Sequence, residues 1–150
     1  MFGIQFGFAS PCEACSKAAF LQTANSAKVK EAIKVARNAQ AQIDGLLAAG
    51  YAADDERVKN YEKAKQGAKK RLPGITFQAT FDETEAKSGK VGRWRKNAAA
   101  RLNGLFVLDI DHIDEAGLQR VAEKAKPLCG SEILLLYRTA SGHGMKVVAK

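Results

Sequence analysis

Phe2, Ile4, Phe6 and Phe8 alternate with Gly3, Gln5 and Gly7, and this period of two predicts a short strand that Ser10-Pro11 closes. The period then lengthens. Val29, Ile33, Ala36, Ile43 and Leu47 fall on one stripe, predicting a helix over residues 26–49 with Gly50 as its stop. A second helix is predicted over 54–71: Asp54, Asp55 and Glu56 open it, Lys69, Lys70 and Arg71 close it, and both ends suit the helix dipole. Its stripe is Val58, Tyr61, Ala64, Ala68 and Leu72, and Pro73-Gly74 ends it. Residues 75–81, rich in β-branched and aromatic side chains, predict one strand. Residues 82–103 carry several glycines and little periodicity, predicting a long basic loop with a helical turn at 97–101. A strand over 105–111 follows, then a helix N-capped by Asp114 and running to about Lys126, with Leu118, Val121, Ala122 and Ala125 inward and Pro127 at its end. Residues 133–138 predict a buried strand, 139–144 a turn and 145–148 a return strand. The order from residue 105 is therefore β-α-β-β, which suits half of a split β-α-β, RRM-like sheet. The whole reads as a single α+β domain over residues 1–150: N-terminal helices, then a partial RRM-like sheet.

Charge adds direction. Lys plus Arg number 24 against 16 Asp plus Glu, a net +8, which favours a polyanionic partner such as a nucleic acid or nucleotide, with a membrane surface as a weaker candidate. Lys87, Lys90, Arg93, Arg95, Lys96 and Arg101 form one acid-free basic stretch, and Lys63, Lys65, Lys69, Lys70 and Arg71 a second, whereas Asp109, Asp111, Asp114 and Glu115 cluster. No apolar run approaches the roughly 20 residues that span a bilayer. No Lys or Arg precedes Lys17, which argues against a secretory signal. Three cysteines do not form a disulfide framework, so a reducing cytoplasm is the expected location. Cys12 and Cys15 form a lone C-x-x-C without a matching second half; ordinary reduced thiols are expected rather than structural zinc.

Two segments carry candidate chemistry. In Leu105-Phe-Val-Leu-Asp109-Ile-Asp111 the two carboxylates share one face of an apolar strand. Hard oxygen ligands so placed suit Mg²⁺ or Mn²⁺, although an Asp-x-Asp on a solvent face would look the same. In Ser141-Gly-His-Gly-Met-Lys146, Gly142 and Gly144 allow close approach to an anion, Lys146 adds a cation, and an ordinary hairpin turn would use the same glycines. His143 in that loop is a candidate phosphate contact or acid–base; His112 is predicted to point away from Asp111. Arg93, Arg95, Lys96 and Arg101, with Trp94 among them, are candidates to track a nucleic-acid backbone and stack a base; a solvated loop with Trp94 in the core is the alternative.

Three blocks in this order, residues 69–81, 103–111 and 139–146, resemble the N-terminal domain found with virulence-associated-protein-E-like helicases of bacterial mobile elements and phages. That domain belongs to the archaeo-eukaryotic primase superfamily, the primase-polymerases. The resemblance covers residues 26–150. It implies an RRM-like nucleotidyltransferase core that makes primers from nucleoside triphosphates on a DNA template, beside a helicase domain or chain. It implies that Asp109 and Asp111 are catalytic metal ligands for Mg²⁺ or Mn²⁺. It also implies that Ser141, Gly142, His143, Gly144 and Lys146 bind the incoming triphosphate, Lys146 standing where many relatives carry a His. Leu102-Asn103-Gly104 replaces the family's usual His-Ser-Gly, and the third acid of the superfamily's metal site has no counterpart up to Lys150. A truncated core is therefore expected. A non-catalytic nucleic-acid-binding remnant is the first alternative. A metal-dependent phosphohydrolase is the second, disfavoured because Ile113 stands where a dehalogenase-type motif needs Thr or Ser.

Overall fold

A computed structural model describes residues 1–7 and 9–150; Phe8, the last apolar position of the first expected strand, lies outside the described residues. Over the described residues the protein is mixed α+β, with four α-helices and several small antiparallel sheets.

The first strand, β1 (Phe2–Gln5), is shorter than the alternation suggests; Phe6 is already exposed. It is the centre of a three-stranded sheet, flanked by β2 (Glu13–Cys15) and β3 (Gly74–Thr76). Central placement explains why all four β1 residues are buried.

Helix α1 (Lys17–Ala24), N-capped by Ser16, has no counterpart in the sequence-based expectations. It shows no buried residue of its own, so its apolar stripe is too faint for periodicity to register. The two expected helices are present as α2 (Ala27–Ala48) and α3 (Glu56–Lys69). The Ser26 hydroxyl accepts from Val29 N–H, and the Asp55 carboxylate from Arg57 N–H, satisfying donors that a helix start leaves open. Val29, Ala32, Ala36, Ala39 and Ile43 form the buried side of α2.

The single strand expected over 75–81 is two. After β3 the chain turns at 77–78 into β4 (Ala79–Phe81), which pairs with β7 (Ala100–Leu102) instead of β1. A strand that changes partners must break, and periodicity along the chain does not report that. The expected long loop is also more structured. It contains a small hairpin, β5 (Thr84–Glu85) with β6 (Val91–Gly92), then a single 3₁₀ turn at Asn97–Ala99 in place of a longer helical turn. These elements are two or three residues long, below the length at which a period can be read.

The C-terminal β-α-β-β order is as expected: β8 (Phe106–Asp111), α4 (Glu115–Ala125) capped by Asp114, β9 (Ile133–Arg138) and β10 (Gly144–Ala149). The strand order is β8-β10-β9, all antiparallel. One face of this sheet, through Leu135 and Val148, joins Phe2, Ile4, Cys15 and Phe77 in the main core. The other packs through Val147 and Ile133 on Ala125 of α4. Phe2, Phe20, Phe77 and Tyr137 form a chain of ring contacts with centroids 4.9–6.1 Å apart, tying the two sheets and α1 together. Among the described residues no helix is long and apolar enough to cross a membrane.

Candidate functional site

Register decides what faces what. In the β8–β10 pair, Asp111 lies opposite Gly144 and Asp109 opposite Lys146; across β10, Lys146 lies opposite Tyr137. Directly opposed residues share a face, so Asp109, Asp111, Lys146 and Tyr137 rise on the same side of the sheet. The sequence expectation that both carboxylates share a face therefore holds. It holds on an edge strand, since among the described residues β8 has a neighbour only on the β10 side.

Gly144 is glycine for a steric reason. A Cβ there would lie 2.6 Å from both Asp111 Oδ1 and the Ile110 carbonyl oxygen, and 3.2 Å from Thr139 Oγ1. The Asp111 carboxylate thus folds over bare backbone. Lys146 does not stand free behind the loop. Its ammonium donates to Asp109 Oδ2 as an ion pair, so it orients the carboxylate next to it.

Over this face opens a cleft of about 500 Å³. Asp109, Lys146 and Tyr137 supply its polar side, and Phe20, Ile33 and Phe77 are among its apolar walls. Burial, with the Asp109 carboxylate adding to it, pushes the Tyr137 phenol up to about 12. Thr139 and Ala140 border the cleft, whereas Asp111 and residues 141–144 are not among its lining residues.

The 139–144 loop is closed on itself more than a free anion nest would be. Gly142 N–H donates to the Thr139 carbonyl at 3.0 Å and Thr139 N–H to the Gly144 carbonyl at 2.8 Å. Gly142, at φ +89°, occupies the left-handed region that favours glycine. Ser141 Oγ lies 3.5 Å from Thr139 Oγ1. His143 Nε2 sits 3.0 Å from Asp44 Oδ2 on α2, an ion pair when the imidazole is protonated. His112 departs from its expected place. It lies just past the end of β8 with φ +56°, outside the strand alternation, and shares a shallow depression with His143 and Arg138.

Two cations that sequence reasoning missed flank this loop. Arg138 Nε donates to the Gly142 carbonyl at 2.7 Å, and its guanidinium pairs with Glu115 at 2.8 Å. Arg37 of α2 reaches the Thr139 carbonyl at 3.5 Å. Partial burial, with the nearby Arg138 charge adding to it, lowers the Arg37 pKa from its ordinary value. Arg138 ends a run of five apolar or aromatic residues directly before the glycine loop, a signal that could have been read. Arg37 sits mid-helix, 102 residues from its contact, with no local signal.

The basic loop lies elsewhere. Arg101 pairs with Asp82 at 2.5 Å, Lys96 donates to the Glu85 carbonyl, and Trp94 Nε1 donates to the Lys90 carbonyl at 3.1 Å. The Arg93 carbonyl accepts from Cys12 N–H at 2.7 Å, and Arg95 lies near Gly74. None of Arg93, Trp94, Arg95, Lys96 or Arg101 lines the Asp109 cleft. Cys12 and Cys15 are buried, unbridged thiols whose pKa burial raises.

Two carboxylates are a partial ligand set. Among the described residues no group of three or more His, Cys, Asp or Glu side chains is arranged to hold a metal ion. The donor chemistry nevertheless fits Mg²⁺ or Mn²⁺, because Mg²⁺ commonly uses one or two protein carboxylates and takes its remaining ligands from water and substrate phosphates.

Fold and site together define an α+β domain with a carboxylate–lysine cleft on a small antiparallel sheet. Residues 67–150, more than half of the chain, match the family described as BT4734-like, N-terminal domain, and the chain belongs to that family. The match takes in β8, β10 and the loop between β9 and β10, and leaves out α1 and α2. No curated protein and no solved structure matches the chain.

Proposed function

We propose that this domain is a primase-polymerase-type nucleotidyltransferase core, with an RRM-like sheet as its catalytic platform and nucleoside triphosphates and a DNA template as its substrates. The observation that carries the reading is the register that sets Asp109 beside Lys146 and Asp111 above Gly144 on one sheet face. The β-α-β-β order with strand order β8-β10-β9 is what half of a split β-α-β sheet would have. The three-block resemblance to the domains that accompany virulence-associated-protein-E-like helicases points the same way, and a helicase is the natural partner.

Asp109 and Asp111 are the residues that would hold Mg²⁺ or Mn²⁺. When bound, the ion neutralises charge on the phosphates and favours attack by a hydroxyl. The chain's own residues do the rest. Lys146 orients Asp109, the glycine at 144 leaves room over Asp111, Arg138 braces the 139–144 loop, and the apolar wall of Phe20, Ile33 and Phe77 gives a base a dry surface.

The test is calorimetric titration of the protein with ATP and dATP in Mn²⁺, alongside Asp109→Ala/Asp111→Ala. Metal-dependent binding that the double variant lacks supports the reading. Absence of triphosphate binding by the parent protein sinks it. A second reading, a nucleic-acid-binding domain without catalysis, is favoured by one observation: Lys146 already neutralises Asp109, leaving Asp111, among the described residues, as the carboxylate of the pair without an ion-pair partner. It predicts DNA affinity that is the same with and without metal.

A further inference from the structure

Helix α2 carries a second basic feature beside the cleft. Lys30, Ile33, Lys34, Arg37 and Asn38 line a groove along one side of the helix. Their spacing, i, i+3, i+4, i+7 and i+8, places them in a single stripe over two turns. Lys30, Lys34 and Arg37 are exposed, and among the described residues none of the three forms an ion pair. Three uncompensated cations in a row repel one another, and that arrangement is relieved by an anion with matching repeated charge.

The groove is continuous with the cleft. Ile33 lines both, and Arg37 reaches the carbonyl of Thr139, which borders the cleft. From Lys30 to Arg37 the helix rises about 10 Å, long enough for the three side chains to reach successive phosphates of one strand. The opposite side of α2 is spent on the protein interior through Val29, Ala32, Ala36, Ala39 and Ile43. The helix therefore has no apolar face to insert into a bilayer, which a membrane-surface helix needs.

We infer that the Lys30–Lys34–Arg37 stripe is the track for the phosphate backbone of a single-stranded nucleic acid, which it delivers along α2 to the Asp109 cleft. The inference rests on the nucleotidyltransferase reading for what the cleft does with the strand. Binding along the stripe stands independently of it.

The experiment is fluorescence anisotropy with a labelled 20-nucleotide oligothymidylate, in EDTA, across a series of salt concentrations. Three variants accompany the parent: Lys30→Gln/Lys34→Gln/Arg37→Gln, Arg93→Gln/Arg95→Gln/Lys96→Gln, and Asp109→Ala/Asp111→Ala. Circular dichroism checks that each is folded. The stripe variant is expected to bind at least about tenfold more weakly at 0.1 M salt, and its slope of log affinity against log salt to shrink by about 2, since each single-strand phosphate contact contributes about 0.7. The loop variant is expected to change affinity less than the stripe variant. The carboxylate variant is expected to keep strand binding, so failure of the nucleotide reading and failure of the track are separable. Parent-like binding by the stripe variant overturns the inference. So does a larger loss in the loop variant, no binding by the parent protein, or capture by phosphatidylserine vesicles in preference to the oligonucleotide.

Discussion

The 82–103 segment and the rim of the Asp109 cleft are both basic, but one draws its cations from a single stretch of chain and the other from distant elements. In the segment, cations answer to near neighbours: Arg101 to Asp82 and Lys96 to the Glu85 carbonyl, while Trp94 caps the Lys90 carbonyl. At the cleft, Arg37, Arg138 and Lys146 come from α2, β9 and β10: Arg37 and Arg138 meet carbonyls of the 139–144 loop, and Lys146 pairs with Asp109 on the sheet face. Cations dense along the chain can satisfy one another's surroundings locally. At the cleft Lys146 and Arg138 are likewise paired, with Asp109 and Glu115, and among the described residues it is Arg37, with Lys30 and Lys34 on the same helix, whose charge has no ion-pair partner and is directed outward. Local density in the sequence is therefore a poor guide to where a polyanion binds.

The same contrast holds for stability, and mutation of the aromatic side chains should expose it most strongly. Phe77, buried against Phe2, Phe20 and Tyr137, floors the cleft. Phe77→Ala is expected to cost about 3–5 kcal/mol in urea unfolding. Trp94→Ala in the half-buried segment is expected to cost about 1 kcal/mol. Equal losses would erase the distinction between a structural floor and a peripheral arm.

Gly144→Ala is expected to cost about 1–3 kcal/mol, because the new methyl meets the Ile110 carbonyl and the Asp111 carboxylate at 2.6 Å. Gly45→Ala, on the open side of α2 with nothing within 4 Å of its Cβ, should instead match or exceed the parent in thermal stability. If calorimetry also shows triphosphate binding in the parent, Gly144→Ala should weaken it by displacing Asp111. Unchanged affinity would remove Asp111 from the site.

The smallest effect is confined to alkaline pH. Tyr137 titrates near 10 in an unfolded chain and at about 12 in the fold. Between those values the native state holds the extra proton, so stability falls as pH rises from about 10 towards 12 and is unaffected below. Urea midpoints at pH 9 and pH 11 should converge in Tyr137→Phe relative to the parent. An identical drop in both would place the alkaline sensitivity elsewhere, Cys12 and Cys15 being the next groups whose pKa burial raises.

Much of this was legible along the chain wherever a pattern repeats for several turns or residues. Helices α2 and α3 and the cap at Asp114 follow from local chemistry, although Leu47 and Tyr61, expected on the apolar stripes, are exposed. So does the β8-α4-β9-β10 order, with Asp109 and Asp111 on one face, because side-chain direction in a strand is fixed by counting in twos. The two-residue strands of the 82–103 segment, the break at 77–78 and helix α1 were not legible. Each depends on which distant strand or core is available to pair with.

Local pattern along the chain specifies the elements long enough to show a period and the residue types that can carry phosphate chemistry. It takes the folded molecule to pair Lys146 with Asp109, to bring Arg37 to the glycine loop, and to hold the basic segment apart from the cleft. Those facts are set by strand register and by contacts spanning 37 and 102 residues, and separations of that size are closed by the packing of the whole core, which no local pattern encodes.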